Sequence, residues 1–166
     1  MTVEMRGEAS AFIDAPPRSV YAMIADVTRM GEWSPECVGA SWARGSSGPT
    51  VGAVFQGTNQ RNTNEWTTPN TVIAADEGEE FAWVVGTMDF RVCTWRYRLT
   101  PEGEGTRVTE SFELGTEEVG FTSSVLARPD EERQVMIDAR RAQLIDDMEH
   151  TLGRLKSAAE GSAVAR

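Results

Sequence analysis

Glu110 stands between Val108 and Phe112 in the run "TRVTESFEL", where apolar and polar residues alternate as along a strand with one buried face. That period places a carboxylate among apolar side chains. Burial without a partner disfavours the charged form and raises the pKa, and a proton acceptor inside an apolar pocket serves as a general base or a hydrogen-bond anchor. The bland counterpart is a Glu110 paired with an inward arginine or set at the wet end of the sheet. A slip of one residue in the alternation would turn Thr109 and Ser111 inward instead. Thr68 and Asn70 share a face with Trp66 in "NEWTTPNTVIAA", and Asn59 lies level with them on the preceding run, "AVFQGTNQ". These polar groups either orient a ligand, Thr68 and Asn70 holding a carbonyl, or satisfy one another as strand polars.

The remaining reactive residue types assemble into no centre. His150 is the one histidine, four residues after Asp146 and three after Asp147, a spacing a metal could use. Met148 defines the apolar face of the same helix and turns His150 toward solvent, so no metal and no cofactor is expected. One histidine does not make a Ser-His-Asp or Cys-His arrangement. The glycines of "RGSSGPTVG" lack the lysine and following helix of a phosphate loop. Cys37 and Cys93, far apart in the chain, read as two buried thiols of a reducing compartment.

Bulk properties narrow the partners. The chain has 166 residues, 40% hydrophobic and 25% charged, which is enough for one packed domain. Its net charge of -10 and pI of about 4.6 leave no basic patch for nucleic acid and disfavour an anionic membrane. No apolar run approaches the roughly 20 residues of a spanning helix. "MTVEMRGEASAF" lacks the basic and apolar regions of a signal peptide, so a cytoplasmic protein is expected. The expected assembly is a monomer or homodimer.

These side chains need elements to aim them. "VEMRGEASAFIDA" reads as a strand with Val3, Met5, Gly7, Ala9 and Ala11 on one side. "APPRSVYAMIADVTRMGEW" reads as two short helices broken near Thr28 and Gly31, with prolines suited to the start. About six strands follow. "FRVCTWRYRLT" puts Cys93, Trp95, Tyr97 and Leu99 on one face and Arg96 and Arg98 on a solvated one. Pro69 inside its strand predicts an edge position or a bulge. From "RPDEERQ" onward one long helix is predicted, with Asp130 as N-cap and an apolar stripe of Val135, Ala139, Ala142, Ile145, Met148, Leu152, Leu155 and Ala159. Glu132, Arg140, Asp147 and Arg154 are assigned to its opposite side. The predicted domain is residues 1–158, with 159–166 a disordered tail. Hairpin-connected strands give an antiparallel sheet that one helix cannot cover flat. A curved sheet gripping the helix solves this and leaves a space suited to an apolar ligand.

This order of elements, with "DVTRMGEWSPE" after the first helix, resembles the START-like (helix-grip, SRPBCC) superfamily, and more narrowly its polyketide cyclase/dehydrase group. "IDAPPRSVYAMIADV", "VGAVFQGTN", "TWRYRLTPEGEGTRVTESFE" and "MEHTLGRLK" carry the resemblance over roughly residues 3 to 157. It implies an α+β helix-grip fold with an internal cavity for a hydrophobic or aromatic small molecule, a lipid or polyketide among them. It also gives Trp33 a role as wall or lid, against the plain alternative of core packing. The expected lining is Trp33, Phe55, Asn59, Trp66, Trp83, Trp95, Tyr97, Phe112 and Met148. Aromatase/cyclase members use inward arginines with hydroxyl partners. Asn70 and Val85 match those arginine positions here, and Ala40 falls near the position of a tyrosine. That counts against such chemistry, because a cyclase must stabilise a developing enolate. The alternative that remains is an enzyme of this type with Glu110 as base.

Overall fold

A computed structural model describes the backbone of residues 2–164 and the side chains through Gly161. Strand β1 (Arg6–Ile13) is followed by helix α1 (Pro17–Ala25) and a 3-10 helix (Val27–Glu32). Then come β2 (Cys37–Trp42), β3 (Val54–Arg61), β4 (Asn64–Asp76), β5 (Glu80–Gly86), β6 (Arg91–Glu102) and β7 (Gly105–Leu114). Helices α2 (Phe121–Leu126) and α3 (Asp130–Val164) close the chain. The seven strands form one curved antiparallel sheet in the order β1-β7-β6-β5-β4-β3-β2. The passage through α1 and the 3-10 helix carries the chain from one edge to the other. Helix α3 packs against β1 and β7 at one side of the sheet, which is the expected α+β helix-grip architecture.

Local chemistry explains the elements. Pro16 caps α1 and Pro17 occupies its first turn, where a missing N–H costs nothing. Asp26 ends α1 and starts the 3-10 helix, its carboxylate accepting from the Thr28 backbone N–H at 3.2 Å and from the Thr28 hydroxyl at 2.5 Å. Gly31 lets that helix lie on β2. A Cβ there would sit 2.4 Å from the Val38 carbonyl oxygen, so no larger residue fits. The core runs through Ile13, Val20, Val27, Phe81, Val108, Leu152 and Leu155, all essentially sealed from solvent.

Four expectations need correction or completion. The buried stripe of α3 is Ile137, Leu144, Met148, Leu152, Leu155 and Ala159, whereas Val135 is 70% exposed and Ala139 and Ala142 face solvent. In one regular helix Ile137 and Leu144 fall on the same face as Met148, Leu152 and Leu155, whereas Ala139 falls opposite it. Pro69 lies in the interior strand β4, not at a sheet edge. It pairs with Gln56 of β3 but lies just outside the β4–β5 ladder, which begins at Asn70↔Val85, so its missing N–H falls beyond that ladder. The short helix α2 was not anticipated. Helix α3 runs on to Val164 with Ala159 buried, so the boundary expected at 158/159 falls inside it. Residues 165 and 166 of the expected tail lie outside the described residues.

Candidate functional site

Between the sheet and α3 lies a cavity of about 710 Å³. Alternation along each strand sends every second side chain into it. Phe55, Gly57 and Asn59 come from β3, and Trp66, Thr68 and Asn70 from β4. Trp83 and Val85 come from β5, Cys93, Trp95 and Tyr97 from β6, and Glu110 from β7. Helix α3 closes the opposite side with Arg140, Leu144, Asp147, Met148 and Thr151.

The sheet wall is aromatic because of its register. Trp83 and Trp95 are cross-strand partners, and so are Trp95 and Phe112. The indoles of Trp83 and Trp95 lie 6.5 Å apart at 17°, nearly stacked. Phe55 meets Trp83 at 5.8 Å and 67°, and Tyr97 lies 6.0 Å from Trp83. Phe112 packs on Trp95 at 5.6 Å but does not itself line the cavity.

Two polar groupings break the apolar surface. Tyr97 and Glu110 are cross-strand partners, and the Tyr97 hydroxyl donates to Glu110 Oε1 at 2.9 Å. Glu110 is only 5% exposed, and its Oε2 has no hydrogen-bond partner among the described residues. Burial pushes the Glu110 carboxyl up to about 8. The Tyr97 hydrogen bond opposes that rise, and the negative charge of Asp147 adds to it. Burial, and the negative charge and hydrogen bond of Glu110, likewise hold the Tyr97 phenol well above its ordinary range.

The second grouping is ionic and joins three elements. Arg140 of α3 grips Glu36, just ahead of β2, with two bonds of 2.9 and 3.0 Å. Arg61, at the end of β3, donates to Glu36 at 2.8 Å and to Asp147 of α3. The Glu36 and Asp147 side chains are each 16% exposed. Burial works to raise Glu36, but Arg140 and Arg61 outweigh it and hold the carboxylate below its usual range. For Asp147 burial prevails over Arg61, and its pKa is raised. Two guanidinium groups therefore face the cavity, each already matched by a carboxylate.

The structure brings together ten of the expected residues around one cavity: Phe55, Asn59, Trp66, Thr68, Asn70, Trp83, Trp95, Tyr97 and Glu110 from the sheet and Met148 from α3. Trp33 and Phe112 are not among the lining residues. Trp33 is 3% exposed and packs in the core, with the Arg29 guanidinium 5.0 Å from its ring. The turns that hold it aim Met30 and Ser34 at the cavity instead. Phe112 lies behind Trp95 against β1, close enough that a Cβ on Gly7 would stand 2.9 Å from its ring. The Asn70 amide donates to the Thr68 carbonyl at 3.0 Å, and Asn59 reaches the Thr68 hydroxyl at 3.4 Å. These strand polars are thus engaged with one another.

Glu36, Arg61, Arg140 and Asp147 escaped the sequence reading. Arg140, Leu144, Asp147 and Thr151 repeat at helical spacing, which was the available signal, but their charges had assigned Arg140 and Asp147 to the solvent side. Both cysteines also face the cavity as free thiols. Burial raises Cys37 and pushes Cys93 up to about 12, so neither is a ready nucleophile. His150 is exposed, with Nδ1 2.9 Å from the Asp146 carbonyl oxygen. Among the described residues no group of three or more His, Cys, Asp or Glu is placed to hold a metal.

The sequence profile of the family described as "Polyketide cyclase / dehydrase and lipid transport" matches residues 5–160. A polyketide-cyclase-like protein of Corynebacterium glutamicum, solved by NMR, is 33% identical over 98% of this chain and 96% of that one, with a TM-score of 0.69. A di-domain ARO/CYC protein of the steffimycin biosynthetic pathway is 14% identical over 97% of this chain and 52% of that one, with a TM-score of 0.75. A Staphylococcus aureus protein of unknown function is 10% identical over 98% of this chain and 97% of that one, with a TM-score of 0.73. At those two identities the likeness is of fold alone. No curated protein sequence matches the chain.

Proposed function

We propose, from the premise that the chain belongs to the polyketide cyclase/dehydrase and lipid-transport family, that it binds a hydrophobic or aromatic small molecule between the sheet and α3. The observation that carries this reading is the cavity of about 710 Å³ with Phe55, Trp66, Trp83, Trp95 and Met148 on its wall. A guest covering that wall removes apolar surface from water at a gain of roughly 25 cal/mol per Å². The small molecule is the one partner proposed. A net charge of -10 argues against nucleic acid and anionic membranes, and no described helix is long and apolar enough to cross a membrane. The reading takes the protein as cytoplasmic, monomeric or dimeric, and without a cofactor. Native mass spectrometry after expression in several hosts, with indole-fluorescence titrations across hydrophobic metabolites, tests it. Ligand-free masses together with unquenched indoles overturn it.

A second reading, an enzyme of the cyclase type, is favoured by one observation: Glu110 sits on the cavity wall with a carboxyl oxygen unpaired. Glu110 would be the base, with Thr68 or Asn70 orienting a carbonyl. The matching of Arg61 and Arg140 by Glu36 and Asp147 argues against it, since their charge is already balanced before any enolate develops. On this reading Glu110→Gln abolishes turnover of a polyketide-like substrate. Unchanged turnover removes Glu110 from the mechanism.

A further inference from the structure

We infer that Glu110 is the specificity-determining residue of the cavity, its neutral carboxyl donating from Oε2 to a carbonyl oxygen of an uncharged aromatic ligand lying along Trp83 and Trp95. The inference rests on the small-molecule reading above and names the ligand's chemical class. Three observations lead to it. Tyr97 donates its one proton to Glu110 Oε1, so Oε1 acts as the acceptor of the carboxyl group. Oε2 has no partner among the described residues and almost no open surface, so a ligand atom reaches it by a turn of the Glu110 side chain toward the cavity that this residue lines, and that pairing would satisfy the orphaned oxygen. The flanking wall, Trp83 stacked at 17° on Trp95, suits a flat ring system.

The charges around the site decide which proton state is present. The titratable groups that share the cavity with Glu110 are Tyr97 and Cys93 of β6, Cys37 of β2, Arg61 of β3, Asp147 and Arg140 of α3, and Glu36. The two guanidinium groups are engaged by Glu36 and Asp147 and form no bond to Glu110. Burial therefore prevails, Asp147 adds its negative charge, and the carboxyl stays protonated up to about pH 8. A protonated carboxyl has one hydrogen to give and one oxygen to receive with, matching a carbonyl on Oε2 and the Tyr97 hydroxyl on Oε1. Once ionised, the same group presents two acceptors and repels a carbonyl oxygen. An anionic ligand is disfavoured by the same charges.

Equilibrium dialysis of the intact protein with fluorene and 9-fluorenone isolates the carbonyl, because the two share one tricyclic skeleton. At about pH 6 the ketone should bind roughly ten-fold tighter than the hydrocarbon, and at about pH 10 that preference should vanish. Glu110→Gln, whose amide both accepts from Tyr97 and donates to the ligand at every pH, should keep the preference at both. Glu110→Met should bind both compounds alike. Equal binding of ketone and hydrocarbon by the unaltered protein at about pH 6, or a preference that survives in Glu110→Met, overturns the inference and leaves the cavity reading standing. Binding of neither compound overturns both.

Discussion

A carboxyl group that keeps its proton in the fold and loses it on unfolding makes stability depend on pH. Glu110 titrates at about 8 in the folded protein, against roughly 4.3 in an unfolded chain. Between those values the folded state holds one more proton than the unfolded state, so stability falls as pH rises, and above the upper value the cost is constant. Glu110→Gln removes the titration but keeps an acceptor for Tyr97. Thermal melts should therefore show the variant close to the parent at about pH 5 and more stable at about pH 9, by a few kcal/mol or several degrees. At this scale the sequence was informative wherever strict alternation applied. Val108, Glu110 and Phe112 share the inner face, yet only Glu110 of the three reaches the cavity, since Val108 and Phe112 are covered by their neighbours. Period distinguishes one side of a strand from the other. It does not distinguish wall from packing behind the wall, and for that reason Phe112 could not be told from a true lining residue, while Trp33, in a turn with no period to read, rested on the family resemblance alone.

Among the elements, the ionic junction at Glu36 has the clearest mechanical role, because it ties the start of β2, the end of β3 and helix α3 across the cavity. Glu36→Gln leaves Arg61 and Arg140 with weaker acceptors in a half-buried setting. Urea denaturation near neutral pH should reveal a loss of about 1–3 kcal/mol. Glu36 is held below its ordinary value in the fold, so its contribution is present above the unfolded pKa and disappears as pH falls through the folded one. The gap between parent and variant should accordingly close below about pH 4. The strands of this site were legible because their period is two and their turns are short. The rotation of α3 was less so. Val135, Ala139 and Ala142 belong to a run whose repeated three-residue steps walk round the helix, so Ala139 stands opposite Met148, while Ile137 and Leu144 share the Met148 face. Arg140 and Asp147 flank that buried face on the side that meets the cavity. Only the curvature of the sheet, which no local pattern encodes, brings Arg61 and Glu36 within reach of them.

For the molecule as a whole, the fold leaves a large volume beside its own core. A ligand that binds only the folded state stabilises it by mass action. At about a hundred times its dissociation constant the gain is roughly 2.7 kcal/mol, which for a chain of this length raises the melting temperature by about 5–10 °C. Differential scanning fluorimetry against aromatic ketones and hydrocarbons should register that rise. Compounds that quench the indoles without raising the melting temperature are touching the outside. The near-parallel indoles of Trp83 and Trp95, 6.5 Å apart on the cavity wall, carry one more consequence. Transition dipoles that close exchange excitation, and where the two lie skewed within their near-parallel planes the pair writes a two-signed band into the circular dichroism spectrum. Anything that slides alongside Trp95 perturbs the exchange, so the protein bears its own optical gauge of occupancy, readable without a label.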